Sequence, residues 1–331
     1  MHKYTLIGLL PIVLGCSNPD TNACASYISG HVSVCSTYLN SVVTATTSLP
    51  TWASNCSNKP SAISKECSCY TTGGSGATTT ASTTTTAATT IKTSTTTTAG
   101  SGSTPTGLTT KLPSSSGAVS TSVAITVSSS FDGGMKKYDR YPVVCDGQTE
   151  TGEADAIFVL KDGATLSNVI IGAGQAEGVH CQGTCTINNV WWQDVCEDAI
   201  TFKQSSGTSN INGGGAFAAS DKIVQFNGFG TVSIKNFYAE DYGKLSRSCG
   251  NCDNNGGARH IVIDNVIAVD GGVLCGINGN YGDSCTISNS CQDDGKSCDN
   301  YEGNNDGDEP TKVSSGNDGT YCIVKSLSTN C

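Results

Sequence analysis

The stretch TLSNVII, Thr165 to Ile171, places an apolar residue two positions before an asparagine within a run of strand-forming residues. Variants of it recur along the chain as TINNVWW, SIKNFYA, VIDNVIA and TISNS. The asparagines of these motifs are Asn168, Asn189, Asn236, Asn265 and Asn289. They follow one another at intervals of 21, 47, 29 and 24 residues, and Asn212 divides the longest interval. A short unit therefore repeats along this part of the chain.

No sustained helical period lies between these motifs, which alternate with β-rich runs such as KIVQF and HIVIDNVIAV. Short strands at such a step are typical of the coils of a solenoid. Asparagine accepts the left-handed backbone of a tight corner, and asparagines stacked from coil to coil can hydrogen-bond as a ladder. We therefore predict an all-β fold, a right-handed single-stranded parallel β-helix. An antiparallel sandwich with asparagine-containing turns is the alternative.

The repeat also brings acidic residues into line. Nine residues beyond three successive asparagines of the repeat, the chain has Glu177, Asp198 and Asp221, and Glu197 lies beside the middle one. Equivalent positions on neighbouring coils are roughly 4.8 Å apart, so these carboxylates would repel one another. A hard cation bound between their oxygens would offset this repulsion, and Ca²⁺ accepts about six to eight oxygen ligands. The pattern predicts a Ca²⁺ site, with separately solvated turn acids as the simpler alternative.

Cationic residues follow the acids. Lys222 adjoins Asp221, and Lys244 and Arg247 come about one repeat later. A calcium-binding strip bordered by cations suits an anionic polymer, although the chain as a whole has a net charge of -10. That negative charge argues against a nucleic-acid partner. The alternative interpretation is that Lys244 and Arg247 lie in a surface loop fixed by a disulfide, where water solvates their charges.

Composition divides the chain into four segments. Residues 1–15 carry a basic residue and a short apolar run, which is typical of a secretory signal peptide rather than a membrane span. Residues 16–70 contain six cysteines and suggest a small disulfide-rich module, and residues 71–107 form a Thr/Ser-rich linker. Residues 108–331 hold the other twelve cysteines and all of the repeats. We expect a secreted, extracellular monomer without a membrane partner.

Four longer stretches occur in order within residues 108–331: ATLSNVIIGAGQAEGVHCQGTC, VCEDAITFK, ASDKIVQFNG and IKNFYAEDYGKLSRSCGNC. Together they resemble the pectate lyases of polysaccharide lyase family 3. The resemblance implies a parallel β-helix and calcium-dependent β-elimination of de-esterified homogalacturonan (polygalacturonate) in plant cell walls, giving 4,5-unsaturated oligogalacturonides. Residues 16–70 resemble a six-cysteine module found ahead of fungal secreted enzymes.

The resemblance also implies roles for individual side chains. Lys222 is expected to remove the C5 proton, Arg247 to stabilise the developing anion and Lys244 to hold a uronate carboxylate. Lys222 and Arg247 could exchange roles. Two further residues are expected to line the substrate groove, Lys203 and Glu153. The calcium ligands implied by the acidic column and the resemblance together are Glu177, Glu197, Asp198 and Asp221.

Two other functions fit the same architecture. A β-helix polygalacturonase would hydrolyse the same polymer, but the strings NTD, GHG and RIK that mark those enzymes do not occur in this sequence. A non-catalytic wall-binding or adhesive protein would use the β-helix as a scaffold and residues 71–107 as a spacer. The product formed from polygalacturonate would separate these functions from a lyase.

Overall fold

The structure, a computed structural model, describes residues 23–30, residue 54 and residues 108–331 of the chain. Three of the predicted segments lie wholly or mostly outside these residues. They are the signal peptide at 1–15, the six-cysteine module at 16–70 and the Thr/Ser-rich linker at 71–107. The boundaries of these segments therefore stay predictions.

Two units make up the chain, Met1–Thr95 and Thr96–Cys331. The first contains helix α1 (Ala23–Gly30), in which Cys24 and Ile28 are buried. No helix among the described residues is long and apolar enough to cross a membrane. The second unit contains the strands of the described chain and all of the predicted site residues.

In residues 108–331, twenty strands form one continuous sheet that winds through three ladders. Five strands bend around corners and so belong to more than one ladder: β3 (Ser130–Arg140), β5 (Ala164–Ile171), β7 (Cys185–Trp192), β9 (Thr208–Phe226) and β11 (Tyr238–Ser248). The first ladder continues through β10 (Gly230–Lys235), β12 (Arg259–Asp264), β15 (Ser284–Ser288) and β19 (Cys322–Val324). The second ladder adds β1 (Ala118–Thr121), β13 (Ile267–Val269), β16 (Ser290–Gln292) and β20 (Leu327–Ser328).

The third ladder carries the predicted site. Besides the ends of β9 and β11, it contains β2 (Ile125–Val127), β4 (Phe158–Leu160), β6 (Val179–Cys181), β8 (Asp198–Phe202), β14 (Val273–Asn278), β17 (Cys298–Glu302) and β18 (Thr311–Ser315). Pairing in the described sheet is parallel except between β17 and β18, which are antiparallel. The predicted all-β parallel solenoid is confirmed, and the antiparallel sandwich is excluded.

The repeated asparagines form the corners between the first and second ladders. All five have a left-handed backbone conformation, with φ between 48° and 55°. Asn189 Nδ2 donates to Asn168 Oδ1 at 2.9 Å, and Asn265 Nδ2 donates to Asn236 Oδ1 at 2.7 Å. Asn189 Oδ1 also accepts from Trp191 Nε1 at 2.9 Å. The predicted asparagine ladder is therefore present at both of these steps.

Asn212, in contrast, is not a corner residue, and its assignment to the repeat was wrong. It pairs with Asn188, and the left-handed residue after it is Gly213, with φ 74°. This coil is one residue longer than the count from Asn212 assumed. Consequently Lys222, not Asp221, lies opposite Asp198 in the third ladder, and the predicted stacking of Asp221 on Asp198 was also wrong.

The core is a stack of like side chains along the solenoid. The apolar residues two positions before the corners pair from coil to coil and are fully buried. They are Leu166, Ile187, Ile211, Ile234, Ile263 and Ile287. Truncating one such side chain to alanine typically costs about 2–5 kcal/mol, because the neighbouring coils cannot close the cavity. The first ladder is therefore held by the same residues that define the repeat.

Six disulfides pair all twelve cysteines of residues 108–331. Five of them join segments of the later coils or neighbouring residues. The sixth, Cys145–Cys196, spans 51 residues and attaches the loop between β3 and β4 to the segment before β8. This last disulfide bears directly on the site.

Replacing Asn189 with alanine should lower the free energy of unfolding by about 1–3 kcal/mol, since it removes the hydrogen bonds with Asn168, Trp191 and Met135 and leaves a left-handed residue without local support. Asn212→Ala is the matched control, because Asn212 is exposed and its backbone is not left-handed. Denaturant unfolding measured by circular dichroism checks both variants. Equal destabilisation by the two substitutions would contradict the corner assignment.

Candidate active site

The third ladder places four of the predicted site residues in one row across neighbouring coils. Asp198 lies opposite Lys222, and Lys222 lies opposite Lys244. Glu177 occupies the equivalent position on the coil before Asp198, as the pairing of β6 with β8 requires. Because neighbouring strands are roughly 4.8 Å apart, the row changes from acidic to basic within a few coils.

Three carboxylates meet at the acidic end of the row. Ligand oxygens of Glu150, Glu177 and Glu197, here called the acidic cluster, all lie within 4.8 Å of one another. Thr151 fixes Glu177, because its backbone N–H and its hydroxyl donate to Glu177 Oε1 at 2.9 and 3.0 Å. His180 Nε2 lies 3.1 Å from the other oxygen of Glu177. These contacts lower the pKa of Glu177 although burial opposes them.

Glu150 was missed by the sequence analysis, because it lies in the loop between β3 and β4 and outside the repeat. The disulfide Cys145–Cys196 fastens this loop to the residue before Glu197. Gln148 Nε2 also donates to the backbone carbonyl of Cys196. In the sequence, only Cys196, next to Glu197, indicates that a disulfide could bring another segment to this position.

Burial dominates the electrostatics of the acidic end. It raises the pKa of Glu197 to about 7, with Glu150 and Glu177 acting in the same direction and Lys222 opposing. The pKa of Asp198 is also raised well above its ordinary value, first by burial. Glu197 Oε2 and Asp198 Oδ1 are buried without a hydrogen-bond partner. Buried carboxylate oxygens are costly unless they are paired, so this end of the row suits a bound cation.

Lys222 is buried, and carboxylates surround its ammonium group. Nζ lies 3.6 Å from Glu197 Oε1 and 3.5 Å from Asp198 Oδ1, and it donates to Asp221 Oδ2. Burial alone would lower the pKa of Lys222, but these three carboxylates raise it above its ordinary value. Lys222 is therefore an ammonium group at neutral pH in this arrangement.

Asp221 does not join the acidic cluster. Its Oδ1 accepts from Lys244 Nζ at 3.2 Å, and its Oδ2 accepts from Lys222. Burial would raise the pKa of Asp221, but the two lysines lower it below its ordinary value. Both oxygens of this predicted calcium ligand are thus engaged by the cations of the row.

Arg247 lies in β11 three residues beyond Lys244 and is 8% exposed. Its guanidinium donates to Asn278 Oδ1 at 3.0 Å and lies 4.0 Å from the ring centroid of Tyr301. Both of these partners are neutral groups. Burial lowers the pKa of Arg247 below its ordinary value. A buried guanidinium held by neutral contacts keeps most of its charge available for an anionic ligand.

The remaining predicted residues, Lys203 and Glu153, form an ion pair with Nζ and Oε1 3.0 Å apart. Gln182 Nε2 also donates to Glu153 Oε2 at 2.6 Å. Burial would raise the pKa of Glu153, but the contacts with Gln182 and Lys203 lower it below its ordinary value. His180 Nδ1 lies 4.0 Å from the same carboxylate. Since its other ring nitrogen contacts Glu177, His180 connects this pair to the acidic cluster, a role that sequence reasoning did not assign to it.

Comparison with known proteins gives a consistent result. The family model for pectate lyase matches residues 109–308. Pectate lyase H of Emericella nidulans is 51% identical over 224 residues, covering 66% of this chain and 85% of the relative. Probable pectate lyase F of Aspergillus fumigatus is 55% identical over 185 residues, covering 55% of this chain and 79% of the relative.

Solved structures agree with the sequence relatives. The catalytic domain of pectate lyase PelI from Erwinia chrysanthemi superposes with a TM-score of 0.53 at 29% identity, covering 65% of this chain and 97% of that domain. PelI in complex with tetragalacturonic acid gives a TM-score of 0.52 at 31% identity, covering 61% of this chain and 68% of that one. The row of acids and cations in the third ladder thus lies within the matched region, and the chain belongs to the pectate lyase family.

Proposed function

We propose that this pectate lyase is secreted, depends on Ca²⁺ and cleaves de-esterified homogalacturonan by β-elimination to 4,5-unsaturated oligogalacturonides. The observation that carries the proposal is the row in which the acidic cluster adjoins Lys222 and Lys244. The tetragalacturonic acid bound to the Erwinia relative supports the substrate class. Six disulfides in residues 108–331 support an oxidising, extracellular environment.

The donor set of the acidic end fits Ca²⁺. The ligand atoms of the acidic cluster are all carboxylate oxygens, and they lie close enough together to share one ion. Glu197 Oε2 and Asp198 Oδ1 add two buried oxygens that accept no hydrogen bond, although Lys222 Nζ lies 3.5 Å from Asp198 Oδ1. Glu150, Glu177, Glu197 and Asp198 would therefore hold the ion, while Asp221 stays with its lysines. When bound, Ca²⁺ would supply the charge that acidifies the C5 proton of a coordinated uronate.

The cations of the row account for the rest of the reaction. In β-elimination the C5 proton passes to a base, a C4–C5 double bond forms, and the C4–O glycosidic bond breaks with its electron pair on the departing oxygen, which takes a proton from solvent. Lys244, the more exposed lysine with 28% of its side chain accessible, binds a uronate carboxylate. Arg247 stabilises the negative charge that develops as the proton leaves. Lys222, between the acids and Lys244, is the proposed base.

Arg247 is the second candidate for the base, and a specific observation favours it. Burial lowers the pKa of Arg247, whereas three carboxylates raise the pKa of Lys222. As a base, Lys222 would need these carboxylates to be engaged by other partners during the reaction. Arg247 needs no such change, because its described contacts are with Asn278 and Tyr301. The two assignments differ in which variant loses the chemical step.

The wild-type protein should convert polygalacturonate to products that absorb in the ultraviolet through their 4,5-double bond. A chelator should abolish the absorbance change, and added Ca²⁺ should restore it, because the buried carboxylates of the acidic end repel one another without a cation. Assays for absorbance and for reducing ends, run on the same samples, separate the alternatives. A hydrolase would give reducing ends without absorbance, and a wall-binding protein would give neither; either result would refute the proposal.

Lys222→Ala should reduce turnover by about 100-fold or more, and Lys222→Arg should restore little, because guanidinium barely deprotonates. Because its raised pKa keeps Lys222 protonated through neutral pH, the fraction of free amine is still growing above about pH 8, and the wild-type rate should rise with it. Lys244→Ala should mainly raise KM. Steady-state kinetics across pH measure these effects, with Lys235→Ala, an exposed residue of β10, as the control.

The opposite pattern would assign the base to Arg247. In that case Lys222→Ala keeps wild-type turnover, while Arg247→Ala loses both turnover and the alkaline rise. Circular dichroism spectra and unfolding midpoints of all variants distinguish a lost chemical step from a lost fold.

A further inference from the structure

A groove of about 640 Å³ opens where the third ladder continues beyond Lys244. Its walls come from β14, β17, the segment before β17 and the antiparallel strand β18. The residues that matter for its chemistry are Lys244, Lys296, Asp299, Tyr301 and Lys312. Lys244 thus belongs both to the proposed catalytic row and to this groove.

The row of the catalytic site extends into the groove through the register of the ladder. Lys244 pairs with Val273, and Cys275 pairs with Cys298. Lys296 therefore occupies the position of Val273 on the next coil, and its carbonyl accepts from Leu274 N at 3.2 Å. With neighbouring strands roughly 4.8 Å apart, Lys296 lies two coils beyond Lys244 on the same face.

Strand β18 brings a third lysine to the same groove. Lys312 pairs with Tyr301 across the antiparallel ladder, and its Nζ lies 3.5 Å from Asp299 Oδ2. Tyr301 in turn lies under the guanidinium of Arg247, 4.0 Å from it. The groove is therefore joined to the proposed catalytic residues by direct contact at Tyr301 as well as by Lys244.

Charge decides what this groove can bind. Three lysines line it, and Asp299, only 14% exposed, is its one lining carboxylate. Lys296 pairs with Asp294, but 63% of that carboxylate side chain is exposed and it does not line the groove. Lys244 also pairs with Asp221, which does not line the groove either. The lining itself therefore carries three ammonium groups and one carboxylate, which favours an anionic ligand in a chain with a net charge of -10.

We propose that this groove is an additional subsite that binds uronate carboxylates of the same polymer, with Lys296 and Lys312 as its cationic contacts. The proposal rests on the proposed function, since it takes the substrate to be a polyuronate crossing the row. A polymer bound at Lys244 and continuing over β14 reaches Lys296 and Lys312 with its next sugars. The subsite thus makes affinity depend on chain length on this side of the scission point.

The test is a double variant, Lys296→Gln with Lys312→Gln. Their side chains are 46% and 52% exposed, so neither substitution removes packing from the core. Lys235→Gln, an exposed lysine of β10 away from the third ladder, is the matched control. Binding of de-esterified oligogalacturonates of increasing length is measured by isothermal titration calorimetry, and KM and kcat are measured on polygalacturonate.

The double variant should bind the longer oligomers about three- to tenfold more weakly, the range expected for two partly exposed ion pairs. KM on polygalacturonate should rise by a similar factor with kcat unchanged. The difference from wild type should vanish for the shortest oligomers and for methyl-esterified oligomers, whose carboxylates carry no charge. Charge reversal at one position, Lys312→Glu, should give a larger loss for the long oligomers alone.

Binding and KM equal to those of Lys235→Gln would overturn the subsite, and so would a loss that is the same for short, long and esterified oligomers. The outcome is separable from that of the proposed function. If polygalacturonate gives no unsaturated product but the length-dependent loss of binding occurs, the subsite stands and the elimination reaction does not. If product forms and the double variant binds like wild type, the reaction stands and the subsite does not.

Discussion

The register of the third ladder is the constraint on which the rest of this site depends. Backbone hydrogen bonds fix which residues of neighbouring coils lie side by side, and a shift of one residue would turn each side chain to the other face. The steps from Asp198 to Lys222 and from Lys222 to Lys244 put a carboxylate and two ammonium groups in one row. The coil lengths of the repeat therefore set the order of charges along the groove.

That order has an electrostatic consequence. At one end of the row, burial raises the pKa values of Glu197 and Asp198 and leaves two of their oxygens without donors. At the other end, Asp221 accepts from Lys222 and Lys244 and keeps their ammonium groups close to the acids. We propose that the acidic end binds a cation and the basic end an anion. An acidic protein can thus present a locally cationic groove to an acidic polymer.

Much of this arrangement could be predicted from the sequence, because the repeat is a local pattern. The left-handed asparagines and the apolar residues before them gave the solenoid, and spacing from Asn168 and Asn189 reached Glu177 and Asp198. The same counting failed at Asn212, since Gly213 takes the left-handed corner without an asparagine to mark it. Glycine adopts the left-handed conformation at little cost, so a corner at glycine lacks the asparagine by which the repeat was counted.

Other features could not be predicted from the sequence, because they depend on segments outside the repeat. Glu150 reaches the acidic cluster from a loop that a disulfide holds in place, and neither the loop path nor the pairing of Cys145 with Cys196 follows from spacing. Lys312 reaches the groove from the antiparallel strand β18, which departs from the coil pattern. Contacts made by such excursions depend on tertiary structure, which a periodic sequence pattern does not encode.

The central claim, that Glu150, Glu177, Glu197 and Asp198 hold one Ca²⁺, is tested most directly by calorimetric titration of chelator-stripped protein with Ca²⁺. The account predicts one site in the wild type, affinity weakened about tenfold or more in Glu197→Gln, and wild-type affinity in Glu302→Gln, an exposed residue of β17. Wild-type affinity in Glu197→Gln, or no binding of Ca²⁺ by the wild type, would contradict it.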